Sequence, residues 1–156
     1  MTLPPLLLGF ASLLVAGCTS LSDAAHEARG RLAARDEPKT RIFATPTRVA
    51  YEAVRSAARQ MGYRFVRGGP AQGEFEALSG VGPGEASGSS RQVAVKVRLH
   101  AMSDGTGTEI AVRFTEIIEA DSANRAGIAT ESPLRDTPQY EVFFRHVQGA
   151  LDAAAR

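Results

Sequence analysis

The sequence has no tryptophan and a single cysteine, Cys18. One thiol excludes an internal disulfide framework and any metal site built from several cysteines. Aromatic residues make up only 6% of the chain, so a core has few large rings to draw on. Charge of one sign is lacking too: 18 basic and 17 acidic side chains leave a net charge of +1. That balance excludes a strongly basic nucleic-acid binder. No apolar run reaches the roughly 20 residues that cross a bilayer as a helix. What is present is 44% hydrophobic and 22% charged residues, close to the globular average, so wholesale disorder is excluded. The 156 residues have room for one ordinary domain.

The amino terminus carries the most specific signal. Leu3 to Gly17 reads LPPLLLGFASLLVAG, without a charge, and has the length and character of the core of a secretory signal. It ends in Ala16-Gly17, directly before Cys18. Val15-Ala16-Gly17-Cys18 resembles the lipobox of bacterial lipoproteins, and Leu14 with the run before it suits that family. The resemblance implies cleavage between Gly17 and Cys18, a diacylglycerol on the Cys18 thiol, and an acyl chain on the new amino terminus. Two or more acyl chains hold a protein stably on a membrane, where one does not. Thr19 follows the cysteine, not the Asp that retains enterobacterial lipoproteins at the inner membrane, so the resemblance favours the outer membrane. One departure from the family is the lack of Lys or Arg in Met1-Thr2-Leu3-Pro4-Pro5. The competing reading is an uncleaved anchor. A buried free cysteine in a helix fits less well, because Pro4-Pro5 and the Gly/Ser/Thr-rich exit disfavour helix.

Four segments are expected: a lipoprotein signal peptide over 1–17, a lipidated cysteine and solvated tether over 18–40, one α+β domain over 41–152, and a frayed end over 153–156. Within the tether, His26-Glu27 begins like H-E-x-x-H, but Gly30 stands where the second histidine belongs. Arg41–Ala44 reads as extended. Thr45-Pro46 opens a helix with Thr45 as N-cap, carrying Val49, Ala50, Ala53, Val54, Ala57, Ala58 and Met61 inward, and Gly62 ends it. Tyr63–Val66 and Gly73–Leu78 read as strands about a Gly68-Gly69-Pro70 turn. Residues 80–90 (GVGPGEASGSS) read as a flexible loop.

Gln92–Ala101 alternates with period two: Val93, Val95, Val97, Leu99 and Ala101 inward, Ala94, Lys96, Arg98 and His100 outward. Glu109–Glu116 answers it across a turn, with Ile110, Val112 and Phe114 inward and Arg113 outward. Glu119–Asp136 reads as a long polar loop, and Asp136-Thr137-Pro138 opens a second helix with the stripe Tyr140, Phe143, Phe144, Val147 and Leu151. The expected fold is an antiparallel sheet of four to five strands with two helices on one face, in the order β-α-β-β-β-β-α. That order resembles the helix-grip domains of small periplasmic lipoproteins, such as the BamC type of the outer-membrane assembly machinery. No partner-binding residue transfers through this resemblance.

Chemistry is sparse. No G-x-S-x-G, G-x-G-x-x-G or Walker lysine occurs. Catalytic and metal-ligating residues are therefore expected to be absent, and no cofactor is expected beyond the lipid on Cys18. The candidate partner-binding residues are Lys96, Arg98, His100 and Arg113 on the wet face, with Asn124 and Arg125 in the long loop. The wet face suits an acidic partner, or else pairs internally with Glu74 and Glu76. The expected partners are the membrane, through the lipid, and an envelope protein or cell-wall component, not nucleic acid. The functional expectation is a non-enzymatic interaction or assembly module at the cell envelope. Two alternatives stay open. A small-ligand binder needs a cavity beneath Tyr140 and Phe144, and a small envelope hydrolase needs His100 or His146 beside a carboxylate.

Overall fold

The structure, a computed structural model, describes residues 37–86, 88–120 and 129–156. The described residues belong to one compact unit, Arg35–Arg156. Its elements are β1 (Lys39–Phe43), α1 (Thr47–Gln60), β2 (Arg64–Gly69), β3 (Glu74–Leu78), β4 (Gly82–Pro83), β5 (Ser89–Ala101), β6 (Thr108–Ala120), β7 (Ala129–Pro133) and α2 (Gln139–Ala154). The fold is α+β. The strands form one antiparallel sheet in the order β1-β6-β5-β3-β2, with β4 on the β5 edge and β7 on the β6 edge.

The β5–β6 hairpin is the spine, thirteen residues paired in register from Ser89↔Ala120 to Ala101↔Thr108. Its inward side chains, Val93, Val95, Val97, Leu99, Ile110, Val112 and Phe114, are all buried. Both helices cover that face. Alanine is the reason they sit close: Ala50, Ala53, Ala57 and Ala58 of α1 are buried, leaving room for the rings of α2. Phe143 stands edge-on to Phe114 at 6.0 Å and to Phe144 at 6.0 Å, and Phe144 reaches Phe43 of β1 at 6.3 Å. Tyr51 meets Phe75 of β3 at 6.0 Å.

Several expectations need correction. Pro46, not Thr45, is the N-cap of α1, with extended backbone. The Thr45 carbonyl instead accepts from the buried Thr108 hydroxyl at 2.8 Å, tying the helix start to β6. Tyr51 is buried with its ring edge-on to Phe75, whereas Val49, expected inward, is 42% exposed. Strand β2 runs through Gly68-Gly69, because a bulge after Phe65 shifts its register on β3. Residues 80–90 contain a strand: Gly82 and Pro83 pair with Arg91 and Ser90, and the Gly84 N–H donates to the Ser89 carbonyl at 2.9 Å. The segment 119–136 holds the end of β6 and all of β7. Ala94 is buried on the outward side, shielded by its register neighbours Leu78 and Thr115, while Ala101 at the strand end is exposed. At the ends, β1 begins at Lys39 and α2 continues to Ala154.

Edge strands β1 and β7 lie along the same side of β6 and leave Phe114 between them. Its backbone is satisfied from two other directions. The Leu134 N–H donates to the Phe114 carbonyl at 2.9 Å, and the Phe114 N–H donates to the Tyr140 hydroxyl at 3.2 Å. Tyr140 thus locks α2 to the sheet where the ladder is interrupted.

Candidate functional site

The face of the sheet away from the helices gathers most of the candidate residues in cross-strand rows. Glu76 of β3 lies opposite Lys96 of β5, and Lys96 opposite Arg113 of β6. In the next row Glu74 faces Arg98, which faces Ala111. In the third, His100 faces Glu109. Period-two alternation puts all of these on one face.

Register decides the electrostatics. Lys96 Nζ lies 3.4 Å from Glu76, and Arg98 Nε lies 3.9 Å from Glu74. Glu76 also accepts from Arg67 of β2, so one carboxylate bridges two cations. Donation from Arg67, aided by the nearby Lys96, holds the Glu76 carboxyl below the ordinary glutamate range. Its side chain is 20% exposed, whereas those of Lys96 and Arg98 are 52% and 73% exposed. The long cations therefore lie over the sheet with their heads in water. A depression of about 480 Å³ opens among Arg67, Glu74, Glu76, Lys96 and Arg98. A smaller one of about 190 Å³ lies between Pro38, Lys96, Arg98, Ala111 and Arg113.

The face is an ion-paired surface, in which Lys96 and Arg98 already have carboxylate partners. Such exposed pairs contribute about 0.2–1 kcal/mol each. Sequence pattern alone does not place Arg67 on this face, because Gly68-Gly69 reads as a turn. The bulge carries the strand on and sets Arg67 opposite Glu76. The sequence signal available was the alternation Glu74, Glu76 on the neighbouring strand, which calls for cations on both flanks.

The other candidates are not brought together. His100 is on the open face, and His146 is a half-buried residue of α2 on the helix side. Gly17, Cys18, His26, Asn124 and Arg125 lie outside the described residues. Among the described residues no group of three or more His, Cys, Asp or Glu is placed to hold a metal ion. Among the same residues no helix is long and apolar enough to cross a membrane.

Beneath Tyr140 and Phe144 the space is filled by rings. Phe114 lies 5.0 Å from Tyr140, 6.0 Å from Phe143 and 5.9 Å from Tyr63. The Tyr63 hydroxyl, its pKa raised by burial, donates to Gln139 Oε1 at 3.3 Å. Compared with known proteins, the sequence matches no family model and no curated protein.

Proposed function

We propose that this chain is a lipid-anchored lipoprotein of the bacterial cell envelope, facing the periplasm, whose α+β domain serves as a non-enzymatic interaction or assembly module. The observation that carries the reading is Val15-Ala16-Gly17-Cys18 directly after the uncharged run from Leu3. About 20 residues separate Cys18 from the first strand of the domain. Thr19 after the cysteine favours the outer membrane. The architecture supports a module that binds a partner: among the described residues both helices cover one side of the sheet and no element covers the other. Ring packing beneath Tyr140 and Phe144 favours this reading over a ligand-binding groove.

The test is fatty-acid labelling in cells that express the native chain or Cys18→Ser, followed by separation of the two membranes. Label on the native chain alone, in the outer-membrane fraction, is the expected result. Absence of label on the native chain overturns the proposal, and label confined to the inner membrane overturns the sorting.

A further inference from the structure

The near-zero net charge conceals a strong asymmetry. Residues 41–67 hold six arginines, no lysine and one acid, Glu52, for a net +5. The remaining residues hold 12 basic and 16 acidic side chains, a net −4. Two of the six arginines are engaged, Arg41 with Glu141 at 3.2 Å and Arg67 with Glu76. Arg48, Arg55, Arg59 and Arg64 are exposed, and none makes an ion pair among the described residues.

Three of these stand in line. Arg48, Arg55 and Arg59 are spaced by seven and four along α1, which puts them on one stripe of the helix about 16 Å long. The stripe is opposite the buried face formed by Ala50, Ala53, Val54 and Ala57. Glu52 is the one acid on it. Arg64 follows at the start of β2. Exposed apolar groups occur on the same two elements: Val49 beside Arg48 on the helix, and Phe65 and Val66 after Arg64 on β2, each nearly half exposed. Phe65 connects to the helix through rings, packing on Phe75 at 5.6 Å, which packs on Tyr51 at 6.0 Å. A row of guanidinium groups beside exposed apolar side chains fits an interface of phosphates above acyl chains.

We propose that the Arg48–Arg55–Arg59 ridge of α1 docks the domain onto anionic phospholipid. The choice of lipid rests on the Cys18 reading, which keeps the domain within a tether's length of a bilayer; the charge complementarity stands without it. Docking of this kind presents a fixed side of the domain to partners.

The test uses the full chain with Cys18→Ser and Gln60→Cys, so that a single thiol carries an environment-sensitive dye beside Arg59. The chain is mixed with vesicles of phosphatidylcholine, with or without phosphatidylglycerol. The expected result is a blue shift of the dye on phosphatidylglycerol vesicles alone, reversed by high salt. Arg48→Gln/Arg55→Gln/Arg59→Gln lowers the docking equilibrium constant about a hundredfold. Arg145→Gln/Arg156→Gln, which removes charge from α2 and the carboxyl terminus, keeps the shift. An equal shift on phosphatidylcholine alone, or one that survives in the ridge variant, overturns the proposal. A shift with soluble polyglutamate and none with vesicles also overturns it, and assigns the ridge to an acidic protein. The chain tested has no Cys18, so failure here and failure of fatty-acid labelling are separate results.

Discussion

Replacing Tyr140 with Phe removes one oxygen and keeps the ring. That oxygen accepts the Phe114 N–H at 3.2 Å, in the gap of the ladder between β1 and β7. Phe114 is fully buried and Tyr140 is 6% exposed, so water does not replace the lost acceptor without opening the fold. An unsatisfied buried donor costs about 1–3 kcal/mol, and the middle of that range, about 2 kcal/mol, is expected here. For a folded unit of this size the melting temperature falls by about 8 °C, and the urea midpoint drops by roughly 1 M. Tyr63→Phe is the matched control. Its hydroxyl donates to Gln139, which is only half-buried, so water takes over the acceptor and the expected cost is under about 1 kcal/mol. Urea unfolding of the native chain and both variants, followed by circular dichroism, measures the difference. If Tyr140→Phe costs no more than Tyr63→Phe, the hydroxyl does not seal the gap and the argument fails.

Two further substitutions probe the sheet. Gly73 has φ +64°, and a Cβ there would lie 2.5 Å from the Leu99 carbonyl oxygen, so Gly73→Ala is expected to destabilise by about 2–3 kcal/mol. Gly105 has a similar φ of +71° but open space, and Gly105→Ala at about 1 kcal/mol in the same unfolding assay separates clash from backbone strain. Glu76 ionises more readily in the folded chain than in the unfolded one, so its contribution is complete above the ordinary glutamate range and disappears as pH falls through its lowered folded value. Glu76→Gln is therefore expected to lose about 1 kcal/mol at neutral pH, and to lose less stability than the native chain on acidification below about pH 4. Parallel curves for the two chains from neutral to acid pH would contradict the pairing of Glu76 with Arg67 and Lys96.

Local sequence determined the elements whose pattern is long and one-sided. The stripe of α2 and the alternation of β5 and β6 repeat over enough residues that one face must be buried, whichever partner covers it. From these followed the α+β class, the shared face of Lys96, Arg98, His100 and Arg113, and the core under Tyr140. The short element β4 and the five-residue β7 were not legible. Gly82-Pro83 and Ala129–Pro133 have no burial pattern of their own and become strands only because β5 and β6 run on beyond the residues paired with β3 and β1 and offer backbone to pair with. Cross-strand register, likewise, is a property of two segments at once. Alternation put Lys96 and Arg98 outside, but only the pairing of β3 with β5 chose Glu76 and Glu74 as their partners, and only the bulge in β2 added Arg67. The lipoprotein proposal lies at the other extreme, since it rests on four residues in a row, Val15-Ala16-Gly17-Cys18, and no folding is needed to read them. The arginine ridge falls between. Its residues and spacing are in the sequence, but tertiary packing turned that side of α1 outward, and among the described residues the paired acids Glu74, Glu76 and Glu141 lie on the other face of the sheet and on α2.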